Sequence, residues 1–425
     1  MDGFEMLDGA DRPESGIPVD LLIGVTGPVD ESELRRRVVA ALDPGGLSQH
    51  GPPEGLTAPE WMGQGRILVA SPGERKTKDG SESGLLTMLS YRTAPVQEGS
   101  VLETFSAAER SLLQLAAEHK ARVTLIVSSD MEAITATTVQ AMVRAVLEEQ
   151  TDLVLPLYAT GRYDGLLNTA ILAPVSRALF ARRVAFPLPY EFACSARYIL
   201  AATAVPKAGT VQDIFWPLTQ AVREPLGKVA RIGQLYVAAQ HASPFEGMEL
   251  TAVLGQVVGA FFAEVEQSAP VWQRLRGAQT VPVWGEPQSP PQENEVIEVR
   301  SMIESFELAQ RNLGELWALV LPPVTLLELK RMSRLDAENF QMPDELWARI
   351  VYDFALAYRL RTLGRAHLMG ALTPLYLAWL ASYMQQIASL TPTLVLERQE
   401  QLAKAFEENK PYLVSRWRWP DRFNP

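Results

Sequence analysis

The chain has 425 residues, 47% of them hydrophobic and 21% charged, with a formal net charge of -11. That length predicts two or three domains, and the composition is that of a folded chain rather than a disordered one. The acidic balance argues against nucleic acid and anionic membrane surfaces as partners, and a lone cysteine, Cys194, excludes an internal disulfide and a multi-cysteine zinc site.

Residues 1–17 are acidic, contain Gly and Pro, and lack the basic and apolar regions of a signal peptide. With the single thiol, this leads to the expectation of a cytoplasmic protein. Residues 20–25 read as a short buried strand, followed by a turn at 26–30 and a charged helix over 31–42. Residues 66–71, 123–128 and 152–157 are further apolar runs bounded by turn residues, which suits strands buried on both faces. Residues 105–117 read as helix. Val139, Met142, Val143, Val146 and Leu147 form a second helical stripe between the last two strands. Strand–helix alternation predicts a mainly parallel sheet flanked by helices, with ligands beyond the carboxyl ends of the strands.

Leu250, Val253, Leu254, Val257, Val258, Phe261 and Phe262 make another helical stripe. Residues 277–295, rich in Pro, Gln and Glu, read as a linker. The expected organisation is a catalytic-type α/β domain over residues 18–276, that linker, and a helical domain over residues 296–425. The apolar stretch 368–380 is too short and interrupted to span a bilayer.

Four groups of residues can carry chemistry. Asp130 and Glu132 follow a central strand, where carboxylates can hold a divalent cation; Asp130 equally suits a helix cap. Tyr158, Arg162, Tyr163 and Asp164 lie where a strand enters a glycine-containing loop. There an aromatic can stack on a ligand and a carboxylate can accept hydroxyl hydrogen bonds, and an ordinary Asp-Gly turn explains the same residues. His241 can ligate a metal or act as acid or base, or be a surface residue like His50, His119 and His367. Arg75, Lys76 and Lys78 can neutralise phosphate or form a solvated loop.

Asp152, Val154, Pro156, Tyr158, Arg162, Tyr163, Asp164, Gly165 and Asn168, with Pro174 and Arg177 after them, form a pattern. It resembles that of the mannosylglycerate and glucosylglycerate synthase type of glycosyltransferase and the related glucosyl-3-phosphoglycerate synthases. Residues 347–358, His367-Leu368, 372–377 and 410–413 are similar to the helical region of that family. The resemblance implies a GT-A (nucleotide-diphospho-sugar transferase) sheet followed by helices. It implies transfer of a hexose from a nucleotide sugar to a small polar acceptor such as glycerate, with magnesium or manganese. A homodimer is a possible assembly. On this reading Asp130, Glu132 and His241 hold the metal, Thr26, Lys76, Asp130, Tyr158 and Arg162 bind the donor, and Asp164 and Glu191 are catalytic.

The sequence departs from the family where chemistry is expected. Ser128 stands in place of the first metal aspartate, and Pro189-Tyr190-Glu191-Phe192 in place of Gly-Gly-Asp-Phe, with Ser195 retained. Gln240 competes with His241 for the family's histidine position. Thr26-Gly27-Pro28-Val29-Asp30 occupies the place of a Pro-x-Tyr-Asn-Glu-like donor motif. A catalytically degenerate binding or regulatory protein therefore stands as the alternative. A nucleotidyltransferase ranks below both, for want of a glycine-rich basic loop after the first strand.

Overall fold

The computed structural model describes residues 19–42, 66–73, 85–96, 99–204, 214–223, 225–239, 241–288 and 298–420. The apolar runs of the first half become strands because they can bury both faces. Every residue of β1 (Val19–Val25) and of β4 (Val123–Val127) is buried. With β2 (Arg66–Pro72), β3 (Leu86–Tyr91), β5 (Leu153–Tyr158), β6 (Phe192–Ser195), β7 (Ile232–Val237) and β8 (Val283–Trp284) they form one eight-stranded sheet. Its order is β3-β2-β1-β4-β6-β5-β7-β8. All pairings are parallel except those of β6 with β4 and β5.

The helices of the first part are α1 (Glu31–Leu42), α2 (Val101–Glu118), α3 (Ala136–Leu147), α4 (Ala173–Phe180), α5 (Ala196–Ala204), α6 (Pro217–Val222), α7 (Leu250–Gln267) and α8 (Ala269–Trp272). The last part is helical: α9 (Arg300–Asn312), α10 (Gly314–Val320), α11 (Pro323–Met332), α12 (Asp344–Leu360), α13 (Arg365–Ile387) and α14 (Pro392–Arg418). The mainly parallel sheet, its flanking helices and the helical C-terminal region are thus as the sequence predicts. Among the described residues no helix is long and apolar enough to cross a membrane.

Alternation of side chains across the sheet divides the core in two. On one face Leu21, Ile23, Leu125 and Val127 meet Leu34 and Val38 of α1 and Val139 and Met142 of α3. On the other, Leu22, Ile126 and Leu155 join a larger core that runs through α2, α4 and α7 into α12, α13 and α14. Each fully buried Leu, Val or Ile contributes roughly 1.5–3 kcal/mol, so the two faces supply the main driving force. The tail is tied to the α/β part by Trp347, whose Nε1 donates to Ala170 O at 2.9 Å. Arg177 of α4 also pairs with Glu400 and Glu407 of α14.

Some elements escape the sequence reading. β3 is an edge strand whose middle four residues are only partly buried, so it lacks a clean apolar run. β7 reads Ile-Gly-Gln-Leu-Tyr-Val. Its Gln234 is buried because Oε1 accepts from Ala185 N–H at 2.8 Å. β8 lies inside the Pro-rich stretch 277–295, where Val283 and Trp284 pair with Gln234 and Leu235. That part of the stretch is sheet edge rather than free linker, and residues 289–295 lie outside the described residues.

Candidate functional site

The sheet order places a topological switch between β1 and β4. From β1 the chain proceeds outward to β2 and β3, and β4 then returns to the other side of β1. Side chains beyond the carboxyl ends of two such strands face a common crevice. Thr26 follows β1 and Ser128 follows β4, held together by the Thr26 N–H donating to Val127 O at 2.9 Å. Gly27 allows the two turns to touch: a Cβ there would stand 2.8 Å from Ser129 Cβ. Tyr158 ends β5, and His241 follows β7. Glu191 precedes β6, which runs antiparallel, so its start lies at the same edge.

The turn after β4 is tight. Met131 has φ +58 and its N–H donates to Ser128 O at 3.1 Å. This geometry turns Asp130 inward. Its Oδ1 accepts from Ser128 Oγ at 2.6 Å and from Glu132 N–H at 3.1 Å. Its Oδ2 lies 2.8 Å from His241 Nδ1. Burial opposes the Asp130 charge, yet the hydrogen bonds from His241, Ser128 and Glu132 N–H bring its carboxyl down to about 2.

The His241 side chain is 2% exposed and its Nε2 stands 2.9 Å from Glu191 Oε2. This is ion-pair distance, although the N–H is aimed off the oxygen. Neither Glu191 oxygen accepts a well-aligned hydrogen bond from the described residues. Burial works against a charged ring, but the Asp130 hydrogen bond and the Glu191 carboxylate outweigh it and hold His241 at about 9. The ring is an imidazolium at neutral pH, clamped between two carboxylates.

Aromatic rings enclose it. Tyr190 stacks on the imidazole with centroids 4.6 Å apart, and Tyr158 meets it edge-on at 5.6 Å. The Tyr158 hydroxyl accepts from Tyr190 N–H at 3.0 Å. Burial, and then the Glu191 charge, push this phenol well above its usual range. Thr26 Oγ1 is buried without a hydrogen-bond partner among the described residues.

The structure brings Thr26, Asp130, Tyr158, Glu191 and His241 of the predicted site to one edge. It sends others elsewhere. Glu132 is exposed and its Oε1 faces Arg37 of α1 at 3.9 Å. Arg162 donates to Ile387 O at 2.9 Å and to Leu390 O at 3.0 Å, and so caps the end of α13. Asp164 is exposed, and its Oδ2 accepts from Gly161 N–H at 3.0 Å, closing the turn before Gly165 at φ +59. Asp152 stands at the opposite edge, where its carboxylate accepts from Ser195 Oγ at 3.0 Å, Arg197 Nε at 2.8 Å and Arg231 N–H at 2.8 Å. Lys76, its neighbours Arg75 and Lys78, and Gln240 lie outside the described residues.

The proposed metal set Asp130, Glu132 and His241 does not fit a cation as it stands. Glu132 faces Arg37, and both ring nitrogens of His241 face carboxylates. Among the described residues no group of three His, Cys, Asp or Glu side chains is arranged to hold a metal ion. Sequence reasoning missed the pairing of His241 with Glu191. It also missed the ring of Tyr190 lying on His241; the signal available was an aromatic directly preceding the Glu191 carboxylate.

No family pattern matches the sequence, and no curated protein matches it. Solved structures do. The chain is similar to a mycobacterial protein at 18% identity and TM-score 0.35, over 58% of this chain and 74% of that one. It is similar to glucosyl-3-phosphoglycerate synthase from Mycobacterium tuberculosis in complex with phosphoglyceric acid, at 18% identity and TM-score 0.36, over 58% of this chain and 79% of that one. The same enzyme in complex with Mn2+, uridine-diphosphate-glucose and phosphoglyceric acid matches at 15% identity and TM-score 0.35, over 59% and 80%.

Proposed function

We propose that the chain is a glycosyltransferase that moves a hexose from a nucleoside-diphosphate sugar to a small hydroxy acid such as glycerate. The observation that carries this reading is the convergence of Thr26, Asp130, Glu191 and His241 on the strand edge at the β1–β4 switch point. In transfer, the bond from the anomeric carbon to the diphosphate breaks and a bond to the acceptor oxygen forms. Negative charge grows on the diphosphate as it leaves, and the acceptor proton passes to the departing phosphate oxygen. The His241 imidazolium, held charged between Asp130 and Glu191, offsets part of the negative charge that the two carboxylates would otherwise present there. Glu191 Oε1, buried and with no well-aligned hydrogen bond among the described residues, can accept from a sugar or acceptor hydroxyl. Asp164, exposed and holding its own turn through Oδ2, stands outside that cluster. The reading carries a cytoplasmic setting and a catalytic unit over residues 18–276.

Calorimetric titration with uridine, guanosine and adenosine diphosphates, with and without manganese, tests the reading. Binding of one of them, lost in Asp130→Ala, is the expected result. No binding under either condition sinks it.

One observation favours a catalytically degenerate binding protein instead. Tyr190 covers one face of His241 at 4.6 Å while carboxylates take both of its nitrogens. Incubation of the purified chain with radiolabelled nucleotide sugars separates the two. Turnover abolished by Asp130→Ala excludes the degenerate reading.

A further inference from the structure

A second charged site stands at the opposite edge of the sheet. It opens where β5 and β7 begin and where the chain enters β8, about 20 Å from the strand ends that hold His241, since six residues of strand rise ~3.3 Å each. It is a cavity of about 230 Å³ lined by Arg182, Arg231, Gln279, Thr280 and Trp284, with the exposed Glu149 on its rim. Arg182 is 8% exposed. Its hydrogen bond among the described residues runs from NH1 to the carbonyl of its own neighbour, Ala181, at 3.1 Å, and it has no carboxylate partner there. Of the acidic side chains of α14, Glu400 pairs with Arg177 and Arg183, and Glu407 with Arg177.

A guanidinium cannot shed its proton in a protein, so a buried one without a counter-charge carries an uncompensated desolvation cost. Burial pulls Arg182 below its usual range, the direction expected of a cation that lacks an anion. The backbone holds this arginine in place. Gln279 N–H donates to Ala181 O at 3.1 Å and Arg183 N–H donates to Gln279 O at 2.9 Å, so the segment just after α4 is bridged at Arg182 to the segment before β8. Arg231 lines the cavity and donates from NH1 to Gln150 Oε1 at 2.9 Å. The volume is below the ~300–1,000 Å³ of pockets that take drug-sized ligands. The occupant is therefore small.

We propose that this cavity binds a phosphate-class anion, with Arg182 as its principal ligand and Arg231 as its second. Two guanidinium forks match the oxygen geometry of a phosphate. Gln279 and Thr280 add polar groups at the rim, and the Trp284 ring forms a wall against which an organic substituent can lie. The bound species is either free phosphate or the phosphate of a small phosphorylated metabolite.

Titration of the full chain with inorganic phosphate and, separately, with phenyl phosphate tests this. The wild type is expected to bind at least one of them. Arg182→Gln is expected to weaken that binding about tenfold or more while leaving nucleoside-diphosphate titration unchanged. Tighter binding of phenyl phosphate identifies a phosphorylated metabolite as the class of ligand, and tighter binding of inorganic phosphate identifies the free ion. Absence of binding to the wild type overturns the proposal, as does equal binding to Arg182→Gln. Should Arg182→Gln fail to fold, Arg231→Gln alters only an exposed side chain and is expected to weaken phosphate several-fold; unchanged affinity there also overturns it.

Discussion

His241 Nε2 stands 2.9 Å from Oε2 of Glu191, a carboxylate with no exposed surface. Asp130 holds the other nitrogen at 2.8 Å, so two acids share one imidazolium. Glu191→Gln removes one of the two charges that offset the burial of the ring. The His241 pKa is therefore expected to fall from about 9 toward the ordinary value of ~6.5. A pH titration of the imidazole Cε1–H resonance reads this directly, and an unchanged midpoint would refute the role given to Glu191.

Ser128→Asp places a second carboxylate beside Asp130. Ser128 Oγ now donates to Asp130 at 2.6 Å and lies 3.3 Å from His241 Nδ1. Two adjacent carboxylates repel each other unless a cation lies between them. The variant should lose stability in metal-free buffer and regain it with manganese, by more than the wild type does. Thermal melts with and without manganese check this; equal responses would show that Ser128 is not what spoils the cation set.

Glu109 lies on α2, 7% exposed, and burial pushes its carboxyl up to about 8 despite the opposing charge of Arg110. Its folded pKa lies above the unfolded value of ~4.3. Its stabilising contribution is therefore complete below ~4.3 and is lost as pH rises through 8. Glu109→Gln abolishes that dependence. It should match the wild type near pH 4 and exceed it above pH 8 by on the order of 2–5 kcal/mol. Urea unfolding at the two pH values measures the difference, and a gap that does not widen with pH would count against the assignment.

Arg177, 7% exposed, anchors α14 to α4 through Glu400 and Glu407. Arg177→Met keeps most of the volume but leaves the partly exposed Glu407 without its Arg177 partner and Glu400 with Arg183 alone. The expected loss is about 1–3 kcal/mol, below the range for a wholly buried pair because water reaches both acids. Denaturant unfolding is the measurement. A change within error would mean that the apolar core alone holds the helical tail.

Gly233 of β7 lies under Trp284 of β8, and an added Cβ would come within 2.2 Å of the indole. A rigid ring cannot yield as a Leu tip does. Gly233→Ala should cost about 1–3 kcal/mol and loosen the β7–β8 pairing. Hydrogen exchange at Val283 and Trp284 would report that loosening; full protection would argue against it.

Much of the fold is legible in the chain. Residues 20–25, 123–128 and 152–157 declare themselves as doubly buried strands because a parallel sheet covered on both faces tolerates little but apolar side chains. The helices after them show clean 3.6-residue stripes, and α1 runs over Glu31–Leu42 as the pattern predicts. β3 and β8 are not legible because an edge strand is held by its backbone ladder and needs no apolar run. Nor is β7, since the polar side chain of Gln234 is satisfied by Ala185, a partner distant in sequence. Asp130, Glu191 and His241 are visible as candidates, but their relationship is not. They are separated by 61 and 50 residues along the chain.

By itself, then, the sequence determined that this is an acidic, mainly parallel α/β protein with a helical tail, because local periodicity and burial are written residue by residue. Only the tertiary structure decided which polar residues act together. It set His241 between Asp130 and Glu191, turned Glu132 toward Arg37 and gave Arg162 to the end of α13. Among the described residues it left Arg182 buried with no acid paired to it. The physical reason is that ion pairs form wherever the sheet order brings strand ends together, and in this chain that order places β1 beside β4 and an antiparallel β6 between β4 and β5.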